Sequence, residues 1–469
     1  MTRFVSLFLA SAVVALDLEI DDRSSILAAG ALISKGMMNY YTGNDTGNWP
    51  GMFSNPYYWW QAGVAWNSLL DYGYYTGDTQ YNDLTHMALL YQSGDYWNYM
   101  PFNQTSTEGN DDQAFWGLAA MTAAEQNFTA PGEGYPASWL YFAQATWNTM
   151  ASRWDTTHCN GGLRWQIYTW NAGYNYKNTV SNGCHFQLGA RLYKFTNNVT
   201  FLNWAEKTWD WMEAVGFLSP INPGASDPLS VYMKALDGAA TDQNCTTISP
   251  YEWTYNQGVL IAGCAVLYNA TQDEKWMTRL QLLWGRAQVF FNSTNGILYE
   301  AACQGGGRCN NDQRCFKGIF MKSLSLSQLV VPELASWWET HVDASAKGMA
   351  QSCSGGTDGH TCGLNWWYNG WDGMYGLGEQ ISALDTINML LSRNQPGPFT
   401  ARQLYGSGGV ATTNETDSGW VYGYPDAGLN NSLVLAQRLK LKTGDKVGVG
   451  ILTTVVLAAL SAGTIWLAI

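Results

Sequence analysis

The sequence is short of basic residues and of histidine. Its 469 residues include 24 lysines and arginines against 37 aspartates and glutamates, and only five histidines. The formal net charge of −13 makes the chain a poor partner for nucleic acid, whose phosphates it would repel. The clustered cysteines lack Cys-x-x-Cys spacing, so a zinc site is the weaker alternative to disulfides. We therefore expect no metal and no cofactor.

Three common catalytic motifs are also missing. The chain has no Gly-x-Ser-x-Gly elbow, no Gly-x-x-x-x-Gly-Lys-Ser/Thr phosphate loop and no His-Glu-x-x-His helix. Charged residues make up only 13% of the chain, whereas aromatic residues make up 14%. This combination is typical of a well-packed globular enzyme with aromatic surfaces and not of a disordered chain.

The amino-terminal segment has the pattern of a secretory signal peptide. Arg3 precedes an apolar stretch from Phe4 to Ala15 that is too short to span a bilayer, and polar sequence begins at Asp17. We expect residues 1–15 to be removed after Ala15. The alternative is a buried first helix.

A second apolar run, GVGILTTVVLAALSAGTIWLAI, ends the printed sequence. Its preceding polar spacer and small residues predict a signal for a glycosylphosphatidylinositol (GPI) anchor, attached at Asn431 or Gly444. An ordinary membrane helix is the alternative. The expected organisation is a signal peptide (1–15), a folded domain (16–430) and an anchor signal (431–469), with the protein on the outer face of the plasma membrane.

Glycosylation sequons and cysteines agree with a secretory route. Nine Asn-x-Ser/Thr sequons predict exposed loops; they lie at Asn44, Asn103, Asn127, Asn198, Asn244, Asn269, Asn292, Asn414 and Asn430. Among nine cysteines we expect eight to pair. Cys353 and Cys362 flank a short polar loop and plausibly bridge. Cys303, Cys309 and Cys315 cluster in a second loop. Another loop is bracketed by Cys159 and Cys184. Cys264 is expected to be a buried free thiol.

A unit of two helices joined by a turn recurs along the chain. It is visible in residues 66–90, 185–214 and 255–287, and further helices are expected near Ser24, Asp112, Ser138, Lys317 and Leu377. Such hairpins cannot bury their apolar faces alone and must stack or close into a ring. About a dozen helices predict an all-α (α/α)6 toroid of six hairpins. Long aromatic and glycine-rich loops are expected to build a groove at one rim.

Two adjacent aspartates, Asp111 and Asp112, stand in the string GNDDQAFWGLAAMTAAE. Glycosidases commonly use two carboxyl groups, one to attack or activate water and one to protonate the leaving oxygen. The alternative is simple capping, because aspartates suit the positive end of a helix. We expect the first aspartate at the cap and the second in the first turn. A retaining mechanism would need the carboxyl groups about 5–5.5 Å apart, and adjacent residues reach this.

The residues also resemble a known family. GNDDQAFWGLAAMTAAE is similar to the Asp-Asp motif of glycoside hydrolase family 76, the endo-α-1,6-mannanases. CNGGLRWQ, YKNTVSNG, ALDG and WTYNQG resemble its fungal, GPI-anchored cell-wall branch, over roughly residues 20–430. The resemblance implies an (α/α)6 barrel and a retaining reaction, with Asp111 as nucleophile and Asp112 as general acid/base.

Aromatic and polar side chains near the motifs are candidate sugar-binding groups. Tryptophans in or beside the loops present flat faces on which sugars could stack, although most of the 24 tryptophans should be core. For the polar residues, turn-making or capping is the alternative. The predicted substrate-binding residues are Trp59, Trp60, Trp116, Asn160, Arg164, Trp165, Asn178, Asn182, Asp237 and Gln257.

The sequence as a whole predicts a retaining endo-α-1,6-mannosidase or transglycosidase that acts on mannan or on the mannose core of GPI glycans. A wall polysaccharide is a possible acceptor. Two alternatives remain open: a non-catalytic glycan-binding wall protein and an inverting six-hairpin glycosidase.

Overall fold

The computed structural model describes residues 15–224, 231–406, 412–416 and 419–429. Within these ranges twelve helices of ten or more residues follow one another along the chain. They are α1 (Arg23–Met38), α2 (Trp59–Thr76), α3 (Asn82–Tyr91), α4 (Asn110–Glu125), α5 (Trp139–Ser152), α6 (Thr179–Thr196), α7 (Val199–Ala214), α8 (Thr254–Thr271), α9 (Glu274–Ala287), α10 (Phe316–Val330), α11 (Ala335–Ser352) and α12 (Leu377–Ser392). A short α13 (Ala401–Tyr405) follows.

The even-numbered helices form a closed inner ring. Each packs against the next, from α2 through α4, α6, α8 and α10 to α12, and α12 packs back against α2. These helices are buried on nearly every side, because each has neighbours in the ring and in the outer layer; in α12 every residue is buried, including the polar ones. The predicted (α/α)6 toroid is confirmed.

The odd-numbered helices form the outer layer and are amphipathic. In α9 the buried residues recur at helical spacing, at Trp276, Leu280, Leu283, Trp284 and Ala287. This single apolar stripe packs on α8, and the polar stripe faces water. The three hairpins predicted from the sequence are therefore α2–α3, α6–α7 and α8–α9.

Left-handed residues end the inner helices of those hairpins. Gly77, Asn197 and Gln272 have φ angles of 76°, 60° and 56°. Each amide donates to the carbonyl of the residue four positions earlier. This cap stops the helix and turns the chain towards its outer partner.

The strands are short antiparallel pairs between helices. β1 (Tyr176–Asn178) pairs with β4 (Gly238–Ala240), and β2 (Leu218–Ile221) pairs with β3 (Tyr232–Ala235). A third pair joins β5 (Thr412–Thr416) to β6 (Gly419–Tyr422). The β1–β4 pair ties the segment before α6 to the segment before α8.

Six of the nine cysteines form disulfides, not eight as expected. The predicted Cys353–Cys362 bridge is present, and Cys303 pairs with Cys309. Cys159 pairs with Cys245, 86 residues away, because Cys184 lies inside α6 and is fully buried. Cys184, Cys264 and Cys315 are buried thiols, which confirms the expectation for Cys264.

The two predicted targeting segments lie outside the described residues, apart from Ala15 at the end of the signal peptide. No helix in the described part of the chain combines the length and apolarity needed to span a bilayer. Seven of the sequon asparagines have described side chains, and none of these is buried. Those of Asn414 and Asn430 lie outside the description.

Candidate active site

The amino-terminal ends of the inner helices meet at one rim of the ring. This follows from the hairpin order, since each outer helix returns the chain before the next inner helix begins. Five of these ends surround a cleft of about 420 Å³. The lining residues are Tyr58, Trp59, Trp60, Gln104, Thr107, Glu108, Asp111, Asp112, Phe115, Trp165, Gln166, Tyr176, Asn178, Asp237, Trp253, Tyr255, Asn310, Asp312, Gln313 and Phe316.

The aspartate pair lies in the first turn of α4, at the floor of this cleft. The cap is Gly109, so the expectation that the first aspartate occupies the cap is wrong. Asp112 Oδ2 accepts the Gly109 amide at 2.5 Å, and Asp111 Oδ1 accepts the Asp112 amide at 3.1 Å. Each carboxyl group thus uses one oxygen to satisfy a free amide at the positive helix end. Asp111 and Asp112 therefore both cap the helix and line the cleft.

Gly109 is required by the close approach of both carboxyl groups. A Cβ atom at this position would overlap Asp111 Oδ1, and it would lie 3.1 Å from Asp112 Oδ2 and 3.0 Å from the Trp165 carbonyl. Its φ of −96° is open to other residues, so the constraint is space and not backbone conformation.

Asn110 fixes the pair to the neighbouring rim loop. Its amide donates to the Trp165 carbonyl at 2.7 Å, and its side-chain Nδ2 donates to the Arg164 carbonyl at 2.8 Å. The Arg153 guanidinium donates to Asn110 Oδ1 at 2.7 and 2.9 Å. The start of α4 therefore moves as one body with the segment that carries Trp165.

The environment of the pair favours a retained proton. Burial, followed by the charge of Asp112, raises the pKa of Asp111 well above its ordinary value. Burial raises the pKa of Asp112 to about 7, against the opposing hydrogen bond from Gly109. Two nearby carboxyl groups with such values hold a proton at neutral pH, as a glycosidase requires of its acid.

Two further carboxyl groups in the cleft were not foreseen from the sequence. Asp312 precedes α10, which lies opposite α4 in the ring, and its Oδ1 accepts Trp60 Nε1 at 3.1 Å. Its charge contributes to the raised pKa of both Asp111 and Asp112. Glu108 is 1% exposed, and burial raises its pKa. The sequence could have indicated Glu108, because this residue lies beside the aspartate motif. Asp312 is far from the motif in the sequence, and only closure of the ring brings it to the site.

Three of the predicted tryptophans line the cleft, namely Trp59, Trp60 and Trp165. The Trp60 ring packs 5.0 Å from Phe115, centroid to centroid. On the opposite wall Tyr255 stacks on Phe316 at 3.8 Å with nearly parallel planes. Such rigid aromatic walls are suited to sugar rings.

Three other predicted binding residues do not line the cleft. Trp116 is fully buried between Trp59 and Tyr99, with ring centroids 5.4 and 5.6 Å away, because it points into the ring core. Gln257 is buried and donates to the carbonyls of Met233 and Leu283, and Asn160 lies in an exposed left-handed turn. The prediction of direct binding is corrected for these three residues.

Arg164 and Asn182 also lie outside the cleft lining and instead hold the rim loop. Arg164 pairs with Asp155 at 2.8 Å and donates to the Tyr174 carbonyl. Asn182 Oδ1 accepts the Leu163 amide at 2.8 Å, and its Nδ2 donates to the Leu163 carbonyl at 3.1 Å. Both therefore have partners within the rim loop, and their predicted contact with sugar stays a prediction.

Asn178 and Asp237 do line the cleft, but each has a structural partner. Asn178 Oδ1 caps α6 by accepting the Ser181 amide at 3.2 Å. The two oxygens of Asp237 accept Tyr176 Oη at 2.6 Å and Trp253 Nε1 at 3.0 Å. Asp237 therefore links β1 to the aromatic wall before α8.

Lys177, also missed from the sequence, is the centre of the loop that ends at Trp165. Its ammonium group is fully buried and donates to the carbonyls of Asp155, His158 and Gly161 at 2.8, 2.7 and 2.6 Å. An ion pair with Asp155 at 3.3 Å balances the charge. The Cys159–Cys245 disulfide closes the same loop from the other side.

The cleft is acidic. Its lining contains five carboxyl side chains and, among the described residues, no lysine, arginine or histidine. In the part of the chain that the structure describes, no three histidine, cysteine, aspartate or glutamate side chains are grouped so as to hold a metal ion.

Comparison with known proteins places these features in a family. The profile described as glycosyl hydrolase family 76 matches residues 25–402. Mannan endo-1,6-alpha-mannosidase DCW1 of Eremothecium gossypii is 48% identical over 97% of this chain and 95% of its own length. The DFG5 mannan endo-1,6-alpha-mannosidase of Saccharomyces cerevisiae is 45% identical over 99% and 96%.

A solved structure has the same fold. The crystal structure of Dfg5 from Chaetomium thermophilum, in complex with glucosamine, has a TM-score of 0.78 and 35% identity, covering 90% of this chain and 99% of that one. With a family profile over most of its length and close relatives along nearly all of it, the chain belongs to glycosyl hydrolase family 76.

Proposed function

We propose that this glycoside hydrolase is a retaining enzyme that cleaves or transfers α-1,6-linked mannose. The observation that carries the proposal is the aspartate pair. Two adjacent carboxyl groups lie at the floor of an aromatic cleft, and each uses one oxygen for a helix-end amide. The relatives named as mannan endo-1,6-alpha-mannosidases support the choice of linkage.

The proposed reaction starts from the state in which the proton shared by the pair lies on Asp112. Asp111 then attacks the anomeric carbon as a carboxylate while Asp112 donates that proton to the departing glycosidic oxygen. The carbon–oxygen bond breaks and a mannosyl ester forms on Asp111. Asp112, now a carboxylate, removes the proton from the acceptor hydroxyl, whose oxygen displaces Asp111. Water as the acceptor gives hydrolysis, and a glycan hydroxyl gives transfer.

The proposed substrates are mannan and the mannose core of GPI glycans. Glucosamine carries a protonated amine, and a cleft with five carboxyl groups and no described basic side chain offers acceptors for such a donor. The glucosamine complex of the Chaetomium relative supports this choice. A GPI-anchored enzyme at the outer face of the plasma membrane would meet both this donor and a wall polysaccharide acceptor.

Azide rescue tests the two roles separately. With an activated α-mannosyl donor, Asp112→Ala plus azide is expected to give the α-mannosyl azide, because the ester on Asp111 still forms. Asp111→Ala plus azide should give the β-mannosyl azide by direct attack. The reverse pattern would exchange the two roles, and a β-configured first product from the unaltered enzyme would show inversion.

A second experiment separates catalysis from binding and hydrolysis from transfer. The purified protein is incubated with α-1,6-mannotetraose or a GPI-glycan mimic, with and without oligosaccharide acceptors, and the products are identified by mass. If the protein binds both donors but cleaves neither, the result would support the alternative of a non-catalytic glycan-binding wall protein. The matched control is Asp111→Asn, which keeps the side-chain shape and should abolish both products.

A further inference from the structure

An exposed aromatic pair lies just outside the cleft. Tyr168 and Trp170 stack with ring centroids 4.9 Å apart and planes 24° apart, and Trp170 is 68% exposed. The nearby Phe102 is 88% exposed. Large aromatic side chains in water are costly, and grouped ones commonly mark a binding surface.

Hydrogen bonds anchor the pair to the neighbouring loop. Trp170 Nε1 donates to the Thr105 carbonyl at 3.1 Å. Asn171 Nδ2 donates to the same carbonyl at 3.4 Å and lies 3.0 Å from the side-chain amide of Gln166. With its ring N–H already used by the protein, Trp170 offers a ligand mainly its flat apolar face.

The same contacts make the pair continuous with the cleft. Gln166 lines the cleft, and so do Gln104 and Thr107, the residues on either side of the Thr105–Ser106 segment. A chain of sugars that leaves the catalytic pair past these residues therefore passes the Trp170 face. Nothing in the reaction proposed above uses this face.

We propose that Tyr168 and Trp170 form a distal subsite that stacks on a sugar ring of the donor mannan chain, beyond the units held in the cleft. The inference rests on the proposed function only for the identity of the chain. The partner is an uncharged hexose polymer, because the flat face can stack on the apolar face of a sugar without any charge pairing. The subsite would add affinity for long chains and leave the chemistry of short ones unchanged.

The test compares chain lengths in a catalytically silent background, so that binding is read without turnover. In Asp111→Asn protein, Trp170→Ala should weaken the binding of long α-1,6-mannan about three- to tenfold and leave α-1,6-mannotriose binding unchanged. Trp170→Phe, which keeps a flat face, should restore most of the loss. In the active enzyme the same change should raise KM for long mannan and leave kcat unaltered.

The matched control is Tyr135→Ala. Tyr135 is 42% exposed and lies between α4 and α5, at the opposite end of the ring. An equal effect of Trp170→Ala on long and short chains, or none on either, would overturn the proposal. Failure of mannan cleavage by the active enzyme, with the length effect on binding intact, would instead overturn the proposed function alone.

Two other ligands could cover the Trp170 face, and evidence for either would contradict the proposal that it binds the donor mannan chain. An N-glycan on Asn103, next to Phe102 in the chain, could cover the same face; in that case Trp170→Ala would have no effect until Asn103→Gln removed the glycan. An acceptor polysaccharide would show itself as lost transfer product with unchanged binding of mannan.

Discussion

At the scale of single residues, the positions of the two aspartates at the floor of the cleft depend on Gly109, which has no side chain. Gly109→Ala places a methyl group where Asp111 Oδ1 lies and close to Asp112 Oδ2, so one or both carboxyl groups must turn away. We expect kcat/KM to fall at least about 100-fold, since small misplacements of catalytic groups have effects of that order. Steady-state kinetics on α-1,6-mannotetraose measures it.

The control for this change is Gly305→Ala. Gly305 has open space around the position of a Cβ atom and lies outside the cleft lining. Full activity of Gly109→Ala would show that the carboxyl groups are not confined as described. Loss of activity in both variants would point to misfolding, which circular dichroism detects.

The raised pKa of Asp112 links stability to pH. The folded state holds this proton up to about pH 7, whereas the unfolded chain releases it near the ordinary value of 3.8. The contribution of this carboxyl group to the free energy of unfolding is therefore fully present below about pH 4 and is lost as the pH rises through 7. Asp112→Asn cannot ionise and should melt about 2–4 °C higher than the unaltered enzyme at pH 8, with no difference near pH 4.

Calorimetric scans at both pH values test this expectation. Asp83→Asn is the control, because Asp83 is also in the first turn of a helix but is exposed. A stabilisation by Asp112→Asn that is the same at both pH values, or is shared by Asp83→Asn, would contradict the assigned cause.

Residue-scale predictions from the sequence succeeded where the signal was local. Asp111 and Asp112 are adjacent, at a helix start that their own neighbours specify. The face on which a helical side chain lies was harder to predict, and Trp116 therefore proved to be core. Asp312 and Lys177 take their roles from partners far away in the chain, which no local pattern reveals.

At the scale of elements, the loop between α5 and α6 depends on one ammonium group. Lys177→Met would remove the shared donor of three carbonyl oxygens and leave Asp155 with Arg164 as its remaining strong ion-pair partner. Loss of one partner of a buried pair costs about 3–5 kcal/mol. We expect the free energy of unfolding to fall by up to that order. Lys275→Met, which breaks exposed ion pairs with Glu206 and Asp273, should change it by less than about 1 kcal/mol.

Denaturant unfolding measures both changes. Proteolysis should also cut Lys177→Met within residues 155–162 before the unaltered protein is cut there. A variant as stable as the Lys275→Met control would show that the carbonyls find other partners.

Helices and loops differed in how far the sequence predicted them. The helix periods and turn residues were clear, so all three hairpins were predicted. Six of the eight predicted starts lie within two residues of the observed ones, whereas α2 and α6 begin seven and six residues earlier than predicted. The pairing of Cys159 with Cys245 and of β1 with β4 joins loops from different hairpins. These contacts follow from closure of the ring, and only the three-dimensional arrangement defines them.

At the scale of the whole molecule, the described ring and cleft are complete before residue 429. We therefore expect a protein of residues 16–430 to fold with an unchanged Tm and to keep its kcat on mannotetraose. The anchor hypothesis is tested by expressing residues 1–430, which keep the signal peptide and lose the predicted anchor signal: secretion of this chain into the medium is compared with surface retention of the full chain. A large loss of Tm would show that later residues belong to the folded domain.

The whole-molecule architecture was predictable because six repeats of one hairpin leave few other ways to bury their apolar faces. The sequence predicted that the groove lies at one rim of the ring, but not which residues line it. Which rim residues face one another depends on ring order, which sets α10 across from α4.

The acidity of the cleft has a consequence for decorated polysaccharides. A mannan branch that carries phosphodiester or sulfate groups would bring negative charge against those carboxyl groups of the cleft that are ionised, with no described basic residue in the lining to receive it. Such modifications would protect nearby linkages from this enzyme, and added salt would weaken the protection by screening the repulsion. Anionic branching of the wall could in this way decide where its mannan is cut.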